Sequence, residues 1–206
     1  MSKLRTVWVD GVGGYAIYDP PEAIFGGRGA NKESIEIVSE LPKLALSVKY
    51  LGDEYIVQRL AAKTVEVNGV IISGPFVLSD GDEMKVDGSV RLLFTKPSSL
   101  SNTAVLKIKS RHRWPESIDG VILLRGLCVL GPSVSAHVNC KHWSQDITLF
   151  RQEDLWQYRL QSKTRSEHGL IDCTLKHISG RSVRKPSHPI VLGERVRGDD
   201  FSMTIT

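Results

Sequence analysis

Apolar and polar residues alternate with period two through most of this chain, in short runs cut by glycine, asparagine, aspartate or proline. The pattern is clear in Thr6-Val7-Trp8-Val9, Ile35-Glu36-Ile37-Val38, Ala45 to Tyr50, Tyr55-Ile56-Val57, Val65-Glu66-Val67 and Val90 to Phe94. β-Branched residues at that spacing form half-buried strands, and turns this closely set predict an all-β sandwich. No segment keeps a 3.6-residue apolar period over the ~12 residues a helix needs. Leu155-Trp156-Gln157-Tyr158-Arg159-Leu160 comes nearest, and it reads as an alternating strand.

The 206 residues can bury one large core or two of roughly 100 residues each. Polar and turn-forming residues cluster at Lys96-Pro97-Ser98-Ser99-Leu100-Ser101-Asn102-Thr103, between one strand and the next. Two units are therefore expected, 1–96 and 103–206. A link of roughly eight residues holds such units nearly fixed. Leu100, apolar within a polar link, and Trp114 are expected to be buried at the junction, with Pro97 and the stretch from Arg111 to Glu116 packed there. The halves also run in parallel: Phe25-Gly26-Gly27-Arg28 lines up with Val129-Leu130-Gly131-Pro132, Ile35-x-Ile37 with Val138-x-Cys140, and Phe76-Val77-Leu78 with Ile190-Val191-Leu192.

Three signals follow in fixed order in the first half: Ile24-Phe25-Gly26-Gly27-Arg28, then Val67-Asn68-Gly69, then Leu78-Ser79-Asp80-Gly81-Asp82 running on to Val86-Asp87-Gly88. Together they resemble the forkhead-associated (FHA) domain. The resemblance implies two tandem FHA-like β-sandwiches of bacterial type, from a family that reads phosphothreonine peptides. It makes Arg28 the phosphate-binding arginine and Asn68 a structural turn residue. Other positions depart from the family. Its Ser-x-x-His falls on Leu44 to Ser47, without hydroxyl or imidazole in place, and its peptide-gripping Asn falls on Lys63. In the second half Pro132 stands at the arginine position, Ser144 matches the family serine, and Ile147 replaces the histidine.

Arg28 has two readings. It binds an anion with Lys32, Lys43 and Lys63 from neighbouring loops, or it braces its own loop through Glu33 or Glu40. The expected function is a non-catalytic protein–protein interaction module, an adaptor or scaffold whose phosphothreonine-binding loops have degenerated. The first alternative is a phosphothreonine-peptide reader centred on Arg28 in bacterial Ser/Thr kinase signalling. The second is nucleic-acid binding through the basic C-terminal half, since the net charge of +4 is concentrated after Thr103. That charge lacks interleaved aromatics and a recognition helix, which favours a protein partner. Trp143, flanked by polar residues, is expected as an exposed anchor, with Arg181, Arg184 and Lys185 on the interaction surface.

No catalytic motif is present, and no cofactor or metal is expected. His137, Cys140, His142, Cys173 and His177 could be drawn around zinc, but period two sends His137 and Cys140 to opposite faces of a strand. Three cysteines are too few for a disulfide framework and point to a reducing compartment, the cytoplasm. No apolar run approaches the ~18 residues of a membrane span.

Overall fold

The computed structural model describes residues 4–29, 34–98, 101–161 and 186–206. The chain opens with the hairpin β1 (Arg5–Val9) and β2 (Gly13–Tyr18), followed by β3 (Glu22–Gly26), β4 (Ser34–Glu36), β5 (Leu46–Leu51) and β6 (Glu54–Arg59). β7 (Val65–Val67), β8 (Val70–Ile71), β9 (Phe76–Leu78), β10 (Glu83–Val86) and β11 (Val90–Thr95) complete the first half. A second hairpin, β12 (Ala104–Ile108) and β13 (Gly120–Leu123), precedes β14 (Leu127–Gly131), β15 (Val138–Asn139), β16 (Ile147–Gln152) and β17 (Leu155–Leu160). β18 (His188–Ile190), β19 (Arg195–Arg197) and β20 (Ser202–Ile205) end it. Among the described residues the only helical element is one 3-10 turn, Pro115–Ser117. The all-β sandwich fold expected from the alternation is the fold observed.

Three sheets carry these strands. One has ten, in the order β19-β20-β1-β2-β13-β12-β11-β10-β7-β8. Two have five, β4-β3-β5-β6-β9 and β15-β14-β16-β17-β18. Each five-stranded sheet therefore has the same plan, with a parallel pair at one edge and antiparallel neighbours across the rest.

The two small sheets cover opposite faces of the large one, and alternation in the central strands proves it. In β12, Ala104 and Leu106 join the first core while Val105 joins the second; in β13, Val121 and Leu123 join the first and Ile122 the second. β2 divides likewise, with Ala16 in the first core and Tyr15 and Ile17 in the second. Successive side chains leave a strand on opposite sides, so these strands are covered on both faces. Their near-continuous apolar sequence, Val121-Ile122-Leu123-Leu124, follows from that.

The hairpins do not follow the sequential halves at 96 and 103. β1 pairs with β20, the last strand of the second half, and its Val7 and Val9 lie in the second core. β12 pairs with β11, the last strand of the first half. Each half thus gives its opening hairpin to the other, and the two hairpins meet where β2 and β13 run parallel. The link between the halves is packed. Thr103 and Ser101 both donate from their hydroxyls to the Leu127 carbonyl, and the Tyr55 hydroxyl donates to the carbonyls of Asn102 and Leu123. Arg125 holds the crossing point, donating to the carbonyls of Asp19 and Pro20 and lying 5.2 Å from the Tyr50 ring centre. Trp114 is buried, but in the first core, against Phe25 at 6.1 Å between ring centres, and Arg111, Arg113 and Glu116 around it are exposed rather than packed at the junction. Leu100 lies outside the described residues.

Two motifs of the first half brace each other. Asn68 takes a left-handed conformation (φ 51°), its side chain accepting from Glu83 N–H and donating to Asp82. Asp82 also accepts from Ser79 N–H at 2.7 Å, and Asp80 from Lys96 N–H. The Asn-Gly and Asp-Gly-Asp turns are structural, locked as a pair.

Candidate functional site

Three loops of the first sandwich are tied into one surface by main-chain hydrogen bonds. Gly27 N–H donates to Pro42 O at 2.9 Å, Ala45 N–H to Phe25 O, and Ala61 and Ala62 N–H to Leu44 O and Ala45 O. The loops after β3, before β5 and after β6 are therefore joined through the backbone.

Glycine is obligatory in the first of them. A Cβ on Gly26 would lie 1.8 Å from Lys43 O, and one on Gly27 would lie 2.0 Å from Leu41 O. Those contacts are with backbone, which cannot swing aside. With the glycines pressed against the 41–43 segment, Arg28 emerges exposed at the rim. Lys43 follows it: a Cβ on Gly29 would sit 3.9 Å from the Lys43 ammonium. Lys63 is exposed on the third loop, its carbonyl accepting from Arg59 Nη1. Lys32 lies outside the described residues.

The bracing reading of Arg28 finds no support from Glu40, because no ion pair joins the two among the described residues. Glu33 lies outside those residues. The acid that does reach this loop is Glu36, whose carboxylate accepts from Gly29 N–H at 3.2 Å.

The corresponding loop of the second sandwich is closed. Gly26 O accepts from Ile37 N–H, as Gly131 O accepts from Cys140 N–H, so Gly26 matches Gly131 and Arg28 matches Ser133. This shifts the sequence alignment by one, since Pro132 takes the place of Gly27. The Asp146 carboxylate accepts from Ser133 N–H at 3.1 Å, so that backbone donor is taken and a carboxylate lies against the loop.

Trp143 corrects an expectation. It is 5% exposed and packs on Phe201 at 5.6 Å between ring centres, so it is a core residue of the second sandwich. Polar neighbours in sequence misled here, because Lys141 and His142 turn outward while the indole folds under. Exposed apolar side chains lie at Val70, Ile71, Phe76 and Val77 instead, on strands β8 and β9 at the edge of the first sandwich. Arg181, Arg184 and Lys185 lie outside the described residues, as do Cys173 and His177.

His137 and Cys140 are both buried, and His137 Nδ1 accepts from Val129 N–H at 2.9 Å. Among the described residues no three His, Cys, Asp or Glu side chains converge on a metal-sized space, and no helix is long and apolar enough to cross a membrane.

No protein-family model matches the chain, and no curated protein matches it. Among solved structures, the chain is similar to the FHA structure of Rv0020c, at 20% identity and a TM-score of 0.29 over 40% of this chain and 83% of that one. It is similar to the FhaA FHA domain complexed with the intracellular domain of Rv3910, at 16% and 0.31 over 41% and 92% of the two chains. A third, from a structural and functional analysis of phosphothreonine-dependent FHA domain interactions, stands at 18% and 0.31 over 42% and 90%.

Proposed function

We propose that this chain is a non-catalytic protein-interaction module that docks a negatively charged segment of a partner on the Arg28 loop surface. The observation that carries the reading is the pair of glycines held against the 41–43 backbone, which leaves Arg28 exposed beside Lys43. Guanidinium groups bind carboxylate and phosphate through paired, charge-assisted hydrogen bonds, and a rigid loop lowers the cost of aiming one. The missing hydroxyl and imidazole of the family's phosphate pocket leave a looser site, which accepts an acidic or phosphorylated segment through charge. On this reading the second sandwich, with Asp146 across its loop, is a scaffold unit of a tandem pair that contributes no anion site of its own.

Titration calorimetry with phosphothreonine peptides and their unphosphorylated and glutamate-substituted forms tests it. Binding of the negatively charged forms, weakened about tenfold or more by Arg28→Ala, is expected from the loss of a charged hydrogen-bond donor. Binding that Arg28→Ala leaves unchanged overturns it. Strict dependence on the phosphate would select the second reading, a phosphothreonine reader, which the FHA-like fold favours.

A further inference from the structure

The loop joining β12 to β13 comes from the second half of the chain but lies on the first sandwich, beside the Arg28 surface. Val38 N–H donates to Arg113 O at 2.9 Å, forming an antiparallel bridge between the two residues. On the other side of the same segment, in the turn beyond β3, Arg28 N–H approaches Ser39 O at 3.5 Å. Arg28 and Arg113 thus flank the 38–39 segment from opposite sides.

Phe25, Ile37 and Trp114 are buried in the first core, which leaves the exposed side of the 38–39 segment to its other neighbours. Arg28 and Arg113 are both exposed and Val38 is half-buried between them. Hydrogen-bonded neighbouring segments lie about 4.8 Å apart, so the two arginine backbones are separated by roughly 10 Å, a span that two long side chains can close around one anion.

We propose that Arg113 is a second ligand of the anion bound by Arg28, so that the site is composite, built from both halves of the chain, and takes a tetrahedral oxyanion of the phosphomonoester class. This rests on the reading of the Arg28 surface given above. Two guanidinium groups suit a dianion with three free oxygens better than a single carboxylate. Glu36, on the same outward face, opposes the anion and sets an upper limit on its affinity, while Lys43 adds charge from the far side. The hairpin exchange is what makes the site possible, because β12 and β13 carry Arg113 across to the first sandwich.

The test uses the full chain with inorganic phosphate as the probe, followed by NMR shifts of the Gly26, Gly27 and Gly29 amides. Arg113→Ala and Arg28→Ala are each expected to weaken phosphate about tenfold, and the double variant by less than the product of the two, because both act on one ligand. Arg113→Ala keeps the carbonyl that pairs with Val38, so its thermal midpoint should stay near that of the parent. Arg91→Ala, which removes an exposed arginine from another strand, should leave phosphate affinity unchanged. The proposal is overturned if Arg113→Ala binds as the parent does while Arg28→Ala fails, an outcome that leaves the Arg28 reading intact. It is overturned along with that reading if neither substitution matters. It also falls if Arg91→Ala weakens binding as much as Arg113→Ala, or if the two arginine effects multiply.

Discussion

His137 sits in the second core with Nδ1 occupied by the Val129 amide, and burial lowers its pKa from the ordinary histidine value of 6.5. The imidazole is therefore neutral in the folded chain under conditions where the unfolded chain takes up a proton. Stability from this residue is complete above pH 6.5 and falls as pH drops through and below that value, because the unfolded state binds more protons. Urea unfolding midpoints should decline from pH 7.5 to pH 5.5, and His137→Gln should flatten that slope even if it lowers both midpoints. An unchanged slope would rule the residue out as the cause. The neighbouring thiols follow the same physics. Burial pushes Cys128 up and carries Cys140 to about 12, so neither offers a thiolate as nucleophile or metal ligand near neutrality.

At the scale of elements, the candidate surface depends on how the 109–119 loop is anchored. Its anchor is Trp114, which fills the first core beside Phe25 just where Arg113 turns outward. Replacing a buried tryptophan by alanine removes its packing and leaves a cavity, a loss of about 3–5 kcal/mol. Trp114→Ala should lower the urea midpoint accordingly, with Trp114→Phe recovering most of the loss; an effect within about 0.5 kcal/mol, typical of a surface position, would place the indole outside the core. The turns behave differently, since their residue types already state their conformations. Asn68-Gly69 and Asp80-Gly81-Asp82 are legible in the sequence because positive φ and side-chain bonding to nearby amides are local properties. The burial of Trp143 was not legible, because a short turn decides which of its residues faces the core and no periodicity reports it.

For the whole molecule, the exchanged hairpins make each sandwich depend on both halves. β11 without β12, and β20 without β1, would present open ladder edges and half-covered cores. Residues 1–98 and 101–206 expressed separately should each lack a cooperative unfolding transition, and mixing them should restore one together with a one-to-one complex. A half that unfolds cooperatively by itself would show that its hairpin can return to its own sheet. Pro20 and Pro21 lie where the first hairpin leaves for β3, and their fixed φ values favour an extended crossing over a fold back. Arg125 then clamps that crossing from the second half.

The sequence by itself determined the strands, their turns and the Gly-Gly-Arg loop, because alternation and turn chemistry act over a few residues. It also carried the parallel between the halves, to within one residue at Arg28. Only the tertiary structure decided which hairpin completes which sandwich. The strands that receive them, Val90 to Thr95 and Phe201 to Thr206, have similar apolar patterns, so local preference does not distinguish the partners. For the same reason the position of Arg113 beside Val38 was not legible in the sequence. That residue reaches the surface through pairing between segments some 75 positions apart, set by Val38 against Arg113, which packing of the whole molecule selects.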